Sequence, residues 1–192
     1  MEKELEYQQR WLNAVNSGNL DLVRYLHNNN IKGCTSRTLD CAAGHGHLEI
    51  VKFLSENRKE GCTQAAMNYA AAFGYILIVN YLHFNRSEGC TKHALTWAAQ
   101  NGHRNIVIFL LAFRNEGNIK EAICFATQNS HKKIMYDLIN YTRKPFVPIL
   151  TKKRKFEIMP TIKEQKEFPE VSKRVYKRKK VTFNKIDQVK IF

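Results

Sequence analysis

The chain has little that would carry chemistry. None of the spacings GxxxxGK[ST], GxSxG, HExxH or GxGxxG occurs, and no carboxylate pair stands where a pocket would form. These absences exclude the common nucleotide-binding, hydrolase, metalloprotease and dinucleotide sites. The sequence reads as a non-enzyme, with no catalytic residue and no cofactor to assign.

Long apolar runs are missing too. The longest, IVIFLLAF from Ile106 to Phe113, has eight residues, against roughly 18 to 20 for a bilayer-crossing helix. The opening MEKELEYQQRW is charged and lacks the apolar core of a secretory leader. The expectation is a soluble protein without a membrane partner, intracellular, in the cytoplasm or the nucleus. Cysteine is sparse and odd in number: Cys34, Cys41, Cys62, Cys90 and Cys124, with no CxxC pair. In a reducing compartment all five are expected as thiols.

Acidic side chains are in short supply. There are 17 Asp and Glu against 31 Lys and Arg, a formal net charge of +14. The imbalance is local. Residues 143–192 hold 16 basic and 5 acidic side chains, a difference of +11; residues 1–142 hold 15 and 12, a difference of +3. All four prolines, Pro145, Pro148, Pro160 and Pro169, fall in that same last quarter. The chain therefore divides into 1–142 and a basic tail, 143–192.

What fills residues 1–142 is a repeat. Gly33, Gly61, Gly89 and Gly117 stand 28 apart, and so do Gly18, Gly46, Gly74 and Gly102, with Ser130 in the next place. Alanine stands four residues before each of the latter (Ala14, Ala42, Ala70, Ala98, Ala126), and leucine eight after (Leu26, Leu54, Leu82, Leu110, Leu138). The phrase NRKEGCT (Asn57 to Thr63) returns as NRSEGCT (Asn85 to Thr91). Five registers without a slip define a tandem array. Within a unit, Ala66, Met67, Ala70 and Ala71 share one helical face, and Ile78, Val79, Tyr81 and Leu82 follow at helical spacing. Gly74 suits the left-handed residue that ends the first helix, and Thr91 suits the N-cap of the next. Each unit is thus two short helices joined by a glycine turn.

AAGHGHLEIVKFL (Ala42 to Leu54) and AAQNGHRNIVIFLL (Ala98 to Leu111) resemble the ankyrin repeat pattern A-A-x-x-G-H-x-x-[IV]-V-x-x-L, and GCT resembles the G-x-T that opens an ankyrin helix pair. The resemblance covers five units, about residues 5–32, 33–60, 61–88, 89–116 and 117–142. It implies an all-α, ankyrin-like helix-turn-helix solenoid. It also implies a monomeric protein-protein interaction scaffold or adaptor that binds a protein partner on a concave face. Two departures stand out. The unit has 28 residues instead of about 33, which removes the β-hairpin finger and leaves a tight turn. Two further residues separate GCT from AA, which predicts a longer first helix. The 28-residue form resembles divergent arrays of protists, oomycetes and amoeba-infecting giant viruses.

The resemblance also sorts the side chains. His47, His103 and His131 occupy the Gly-His turn, where the ring is expected to bond the turn backbone of a neighbouring unit. Tyr69, Trp97 and Phe125, with Cys41 in the same register, fall where the pattern packs an apolar residue between units. Cys34, Cys62 and Cys90 take one place in three units. Stacked helices lie about 8–10 Å apart and a disulfide needs Cα atoms within about 7 Å, so these cysteines are expected as small buried side chains and not as bridges. Cys41 and His45 stand i, i+4, but a closed zinc site needs four ligands, so no metal is expected. The positions between AA and the turn differ from copy to copy: His45, Ala72, Phe73, Gln100, Asn101, Gln128 and Asn129. In ankyrin arrays such positions face the concave surface, and these seven are the expected partner contacts. Asp137 stands where Tyr25, Phe53, Tyr81 and Phe109 stand in earlier units, and its polarity is expected to mark the end of the stack near Tyr141.

The tail carries two basic clusters, Lys152, Lys153, Arg154 and Lys155, then Lys173, Arg174, Lys177, Arg178, Lys179 and Lys180. High charge and scattered prolines predict a largely disordered arm. Three uses stay open. The clusters suit nuclear import or an anionic partner. With Phe146, Phe156, Phe168, Tyr176 and Phe183 interleaved they suit nucleic acid. They also suit a solvated arm. KKVTF, Lys179 to Phe183, resembles the docking motif of type-1 serine/threonine phosphatase regulatory subunits, in which Val181 and Phe183 would fill two pockets by strand addition.

Overall fold

The computed structural model describes residues 2–143, and among them every regular element is a helix. Ten helices form five consecutive pairs: α1 (Glu2–Asn16) with α2 (Leu20–Asn28), α3 (Ser36–Gly44) with α4 (Leu48–Asn57), α5 (Gln64–Ala72) with α6 (Ile76–Asn85), α7 (Lys92–Gln100) with α8 (Arg104–Phe113), and α9 (Ile119–Gln128) with α10 (Lys132–Arg143). First helices pack on first helices (α1, α3, α5, α7, α9) and second on second (α2, α4, α6, α8, α10), which makes two layers. The alanine register explains the close approach of the inner layer. Ala14, Ala42, Ala70, Ala98 and Ala126 are fully buried, and only a methyl group fits there. The outer layer buries Ile50, Ile78, Ile106 and Ile134 with Leu26, Leu54, Leu82, Leu110 and Leu138.

Each turn glycine meets two demands. Gly18, Gly46, Gly74 and Gly102 have φ between +69° and +87°. A ring of the following unit also lies on each one: a Cβ at Gly18 or Gly74 would come within 2.6 or 2.7 Å of His47 or His103, and at Gly102 within 2.8 Å of His131. His47 Nε2 is 3.4 Å from the Asn16 carbonyl oxygen and His131 Nε2 is 3.0 Å from that of Gln100. These two rings thus bond the preceding unit's turn, as the pattern predicts. Tyr75 takes the ring's place over Gly46. In the last turn Ser130 adopts φ +61° without the freedom of glycine.

The finger is reduced, as the short unit predicts. Only residues 58–63 separate α4 from α5, and only 86–91 separate α6 from α7. In units two to four the first helices gain no length over their partners, while α1 at 15 residues exceeds the nine of α2. α3, α5 and α7 have nine residues each and α4, α6 and α8 have ten. A threonine cap fixes the start: Thr63 Oγ1 accepts from the Ala65 N–H and Thr91 Oγ1 from that of His93. The caps are themselves held by the preceding unit. Buried Asp40 accepts from the Thr63 N–H and hydroxyl, both at 2.8 Å, and buried Asn68 exchanges two 3.0 Å hydrogen bonds with Thr91.

The recurring phrase NR-x-EGCT has its physical reason here. In each turn the arginine pairs with the glutamate two residues on: Arg58 with Glu60, Arg86 with Glu88, Arg114 with Glu116. For Arg86 and Arg114 the guanidinium then lies on the glycine of the preceding turn: a Cβ at Gly61 would stand 2.6 Å from Arg86 Nη2, and one at Gly89 would meet Arg114. Cys34, Cys62 and Cys90 lie under Arg58, Arg86 and Arg114 in turn.

The expectation for Asp137 is corrected. Its carboxylate accepts from Arg104 Nε at 2.6 Å and Nη2 at 3.2 Å, across from α8. The register therefore faces the preceding unit, and the polarity of Asp137 answers Arg104, not an open end. The same geometry explains why Phe109 is 3 % exposed while Tyr25, with no described unit before it, is 59 % exposed.

Candidate interaction face

Residues four apart stack on one side of a helix. On the first helices this rule builds a grid of three rows: Arg37, Ala65, His93 and Glu121; then Cys41, Tyr69, Trp97 and Phe125; then His45, Phe73, Asn101 and Asn129. Every residue of the grid keeps contact with solvent. It is an open face running across units two to five.

The third row holds the helix ends. His45, Phe73, Asn101 and Asn129 are the C-cap residues of α3, α5, α7 and α9. Polar members are partly spent on that task. His45 Nδ1 lies 2.9 Å from the Cys41 carbonyl oxygen, Asn101 Nδ2 donates to that of Ala72 at 2.7 Å, and Asn129 Nδ2 donates to that of Phe125 at 2.9 Å. Phe73 has no such duty and is 58 % exposed. Gln128 is exposed and Gln100 half-buried. Ala72 is a correction: at 7 % exposure it belongs to the packing between units and offers no side chain to a partner.

The middle row departs from the sequence reading at Tyr69. The row is expected as packing between units, and Cys41, Trp97 and Phe125 are half-buried, yet Tyr69 is 42 % exposed. The Tyr69 and Trp97 rings lie with centroids 6.2 Å apart and planes 2° from parallel, and His93 stacks on Trp97 at 4.9 Å and 18°. Gly44 makes room for this column, since its absent Cβ would be 3.3 Å from that of Tyr69. The i, i+4 pairs His93–Trp97 and Tyr69–Phe73 were the available signal for an aromatic stripe.

The cysteines are free thiols in the structure: Cys90 buried, Cys34, Cys41 and Cys62 half-buried, Cys124 exposed. Burial raises the pKa of Cys34 and Cys90. Cys62 is pushed up to about 12, by burial first and then by the neighbouring Glu88 carboxylate. These thiols are poor nucleophiles, because the thiolate is the reactive form. For the turn glutamates Glu60 and Glu88, burial alone would raise the pKa, but the arginine hydrogen bond and the backbone amides outweigh it and hold both below the ordinary range. Glu116 is lowered likewise, its backbone hydrogen bonds leading and Arg114 adding to them.

Among the described residues no group of three or more His, Cys, Asp or Glu side chains could hold a metal ion, and no helix is long and apolar enough to cross a membrane. The basic clusters Lys152–Lys155 and Lys173–Lys180, and the Val181–Phe183 docking pair, lie outside the described residues.

Family models for ankyrin repeats match the chain: one for ankyrin repeats in many copies at residues 12–55 and 39–84, and one for three copies at residues 67–147. No curated protein matches it.

Proposed function

Because the chain belongs to the ankyrin-repeat family, whose arrays are protein-protein interaction modules, we propose that it is a non-enzymatic scaffold that holds a protein partner on the open grid of its first helices. The observation that carries this reading is the aromatic stripe of exposed Tyr69 and Phe73 with half-buried Trp97 beside them. Solvent-exposed aromatics on a rigid framework are the side chains that dominate interface energetics, and nothing in the array itself needs Phe73 uncovered. The contacts would be Tyr69, Phe73, Trp97, His45, Asn101, Gln128 and Asn129. The face lies within one chain, so a monomer suffices.

The test is a site-specific photocrosslinker placed at position 73 and, as a control, at the exposed Tyr136 of α10. In cells producing the full chain, position 73 is expected to capture a discrete protein that position 136 does not. Equal capture at both, or none at position 73, would overturn the reading. The charge of residues 143–192, +11 by count, favours a second contact with an anionic partner or an import receptor through the tail.

A further inference from the structure

The grid is aromatic at its centre and cationic at one edge. Arg37 heads the first row, and Lys92 and Lys120 stand beside it at the start of α7 and α9, all exposed. Arg37 and Lys120 make no ion pair among the described residues. The carboxylates of this layer are already engaged. Both oxygens of buried Asp40 accept from Thr63. Glu121 accepts from Asn118 Nδ2 at 3.1 Å and lies 3.7 Å from Lys92. Glu4 and Glu6 sit on the overhang of α1, before Gln8, which is the register equivalent of the Ser36 that starts α3. Units two to five thus present rings together with two unpaired cations, Arg37 and Lys120, and with Lys92, which shares Glu121 at 3.7 Å.

From this pairing we infer that the partner segment is acidic and carries an aromatic or large aliphatic anchor. The inference rests on the interaction face proposed above. The anchor packs on the Tyr69–Trp97–His93 column and against Phe73, and the carboxylates reach Arg37, Lys92 and Lys120. A ring-on-ring anchor surrounded by charge complementarity is the usual division of labour between affinity and specificity. Three cations are few for a nucleic-acid strand, whose binding grows with the number of phosphates neutralised.

The probe is a display library of random 12-residue peptides, selected in parallel on the full chain and on the full chain carrying Tyr69→Ala and Phe73→Ala. Both versions keep the tail, so its non-specific pull on acidic peptides cancels. Phe73→Ala alone serves as a second variant, because its ring packs only at the surface, 6.5 Å from Tyr75. Peptides enriched on the parent alone are expected to place Asp or Glu around one aromatic or large aliphatic residue. Once synthesised, they should bind the double variant at least tenfold more weakly and the single variant severalfold more weakly. Enriched peptides that depend on Tyr69 and Phe73 but are neutral or basic would overturn this inference and leave the interaction face standing. Peptides that bind parent and variants alike, or no enrichment on the parent, would overturn both. A single-stranded oligonucleotide whose binding is lost in the double variant would assign the face to nucleic acid instead.

Discussion

Leu82 and Gln100 define the inside and outside of the array. Leu82 is 2 % exposed in the outer-layer core, whereas the Gln100 side chain is half-exposed on the open face. Leu82→Ala is expected to destabilise by about 2–5 kcal/mol, and Gln100→Ala by no more than about 0.5 kcal/mol. Chemical denaturation of both variants checks the assignment, and equal costs would contradict it. The thiols give a second residue-level test. Cys124 is exposed, while Cys34, Cys62 and Cys90 lie under guanidinium groups with raised pKa. A thiol reagent at neutral pH is expected to modify Cys124 first and the other three only on unfolding; mass spectrometry of the partly labelled protein reads the order. Residues repeated in every unit were legible in the sequence, because repetition itself marks framework: the alanines, the leucines, the turn glycines. Tyr69 was not legible. An apolar residue at a register position looks the same whether it is covered or left open, and the difference rests on Gly44, a neighbour 25 residues away.

At the level of helices and turns, the ties between units decide stability. Asp40→Ala removes the acceptor for the N–H and hydroxyl of Thr63, which is itself exposed, and so unties that cap from the preceding unit. A hydrogen bond to a charged group contributes about 1.5–3 kcal/mol, and the exposure of Thr63 puts Asp40→Ala at the low end of that range, while the double variant Asp40→Ala with Thr63→Ala costs less than the sum of the singles. Additive losses in a double-mutant cycle would show that the tie contributes nothing. The Arg–Glu turns give a pH signature. Glu60, Glu88 and Glu116 have folded pKa values below their ordinary value. Their contribution is therefore present above the unfolded value near 4.5 and is lost as pH falls through the lower folded values. Melting temperatures are expected to drop between about pH 5 and pH 3, and a variant with all three changed to Gln should show a shallower drop. A triple variant that tracks the parent would remove these turns as the cause. The helix pairs and their glycine turns follow from the 28-residue period alone. The reason for the phrase NR-x-EGCT does not, because it joins residues 25 apart, such as Gly61 and Arg86, that only stacking brings together.

The described array of residues 2–143 is quasi-one-dimensional, and each unit is as secure as its neighbours make it. The last described unit is the least anchored. α9 buries only Ala122 and Ala126 and α10 only Ile134 and Leu138, whereas α7 and α8 bury nine residues between them, five and four. Amide exchange is expected to be fastest in α10, and slower in α7 and α8. Uniform protection along the array would show that it opens only as a unit. The tail prediction belongs to this scale too. If residues 143–192 bind an anionic polymer, affinity should fall by orders of magnitude between about 50 and 200 mM salt. Val181→Ala with Phe183→Ala should leave it unchanged, and loss of binding in that variant at constant salt would favour apolar docking.

The ties that close each unit also have a bearing on how long such a molecule can be. Asp40 and Asn68 reach forward to an identical Gly-Cys-Thr, and Arg58 and Arg86 reach back to an identical one. Residues 61–88 are therefore an interchangeable part. A second copy inserted after Glu88 would offer Asn68 the same threonine that it holds now, and Gly61 the same arginine. Growth by whole units of 28 residues introduces no junction that the chain has not already made, while an insertion of any other length misaligns every glycine beyond it.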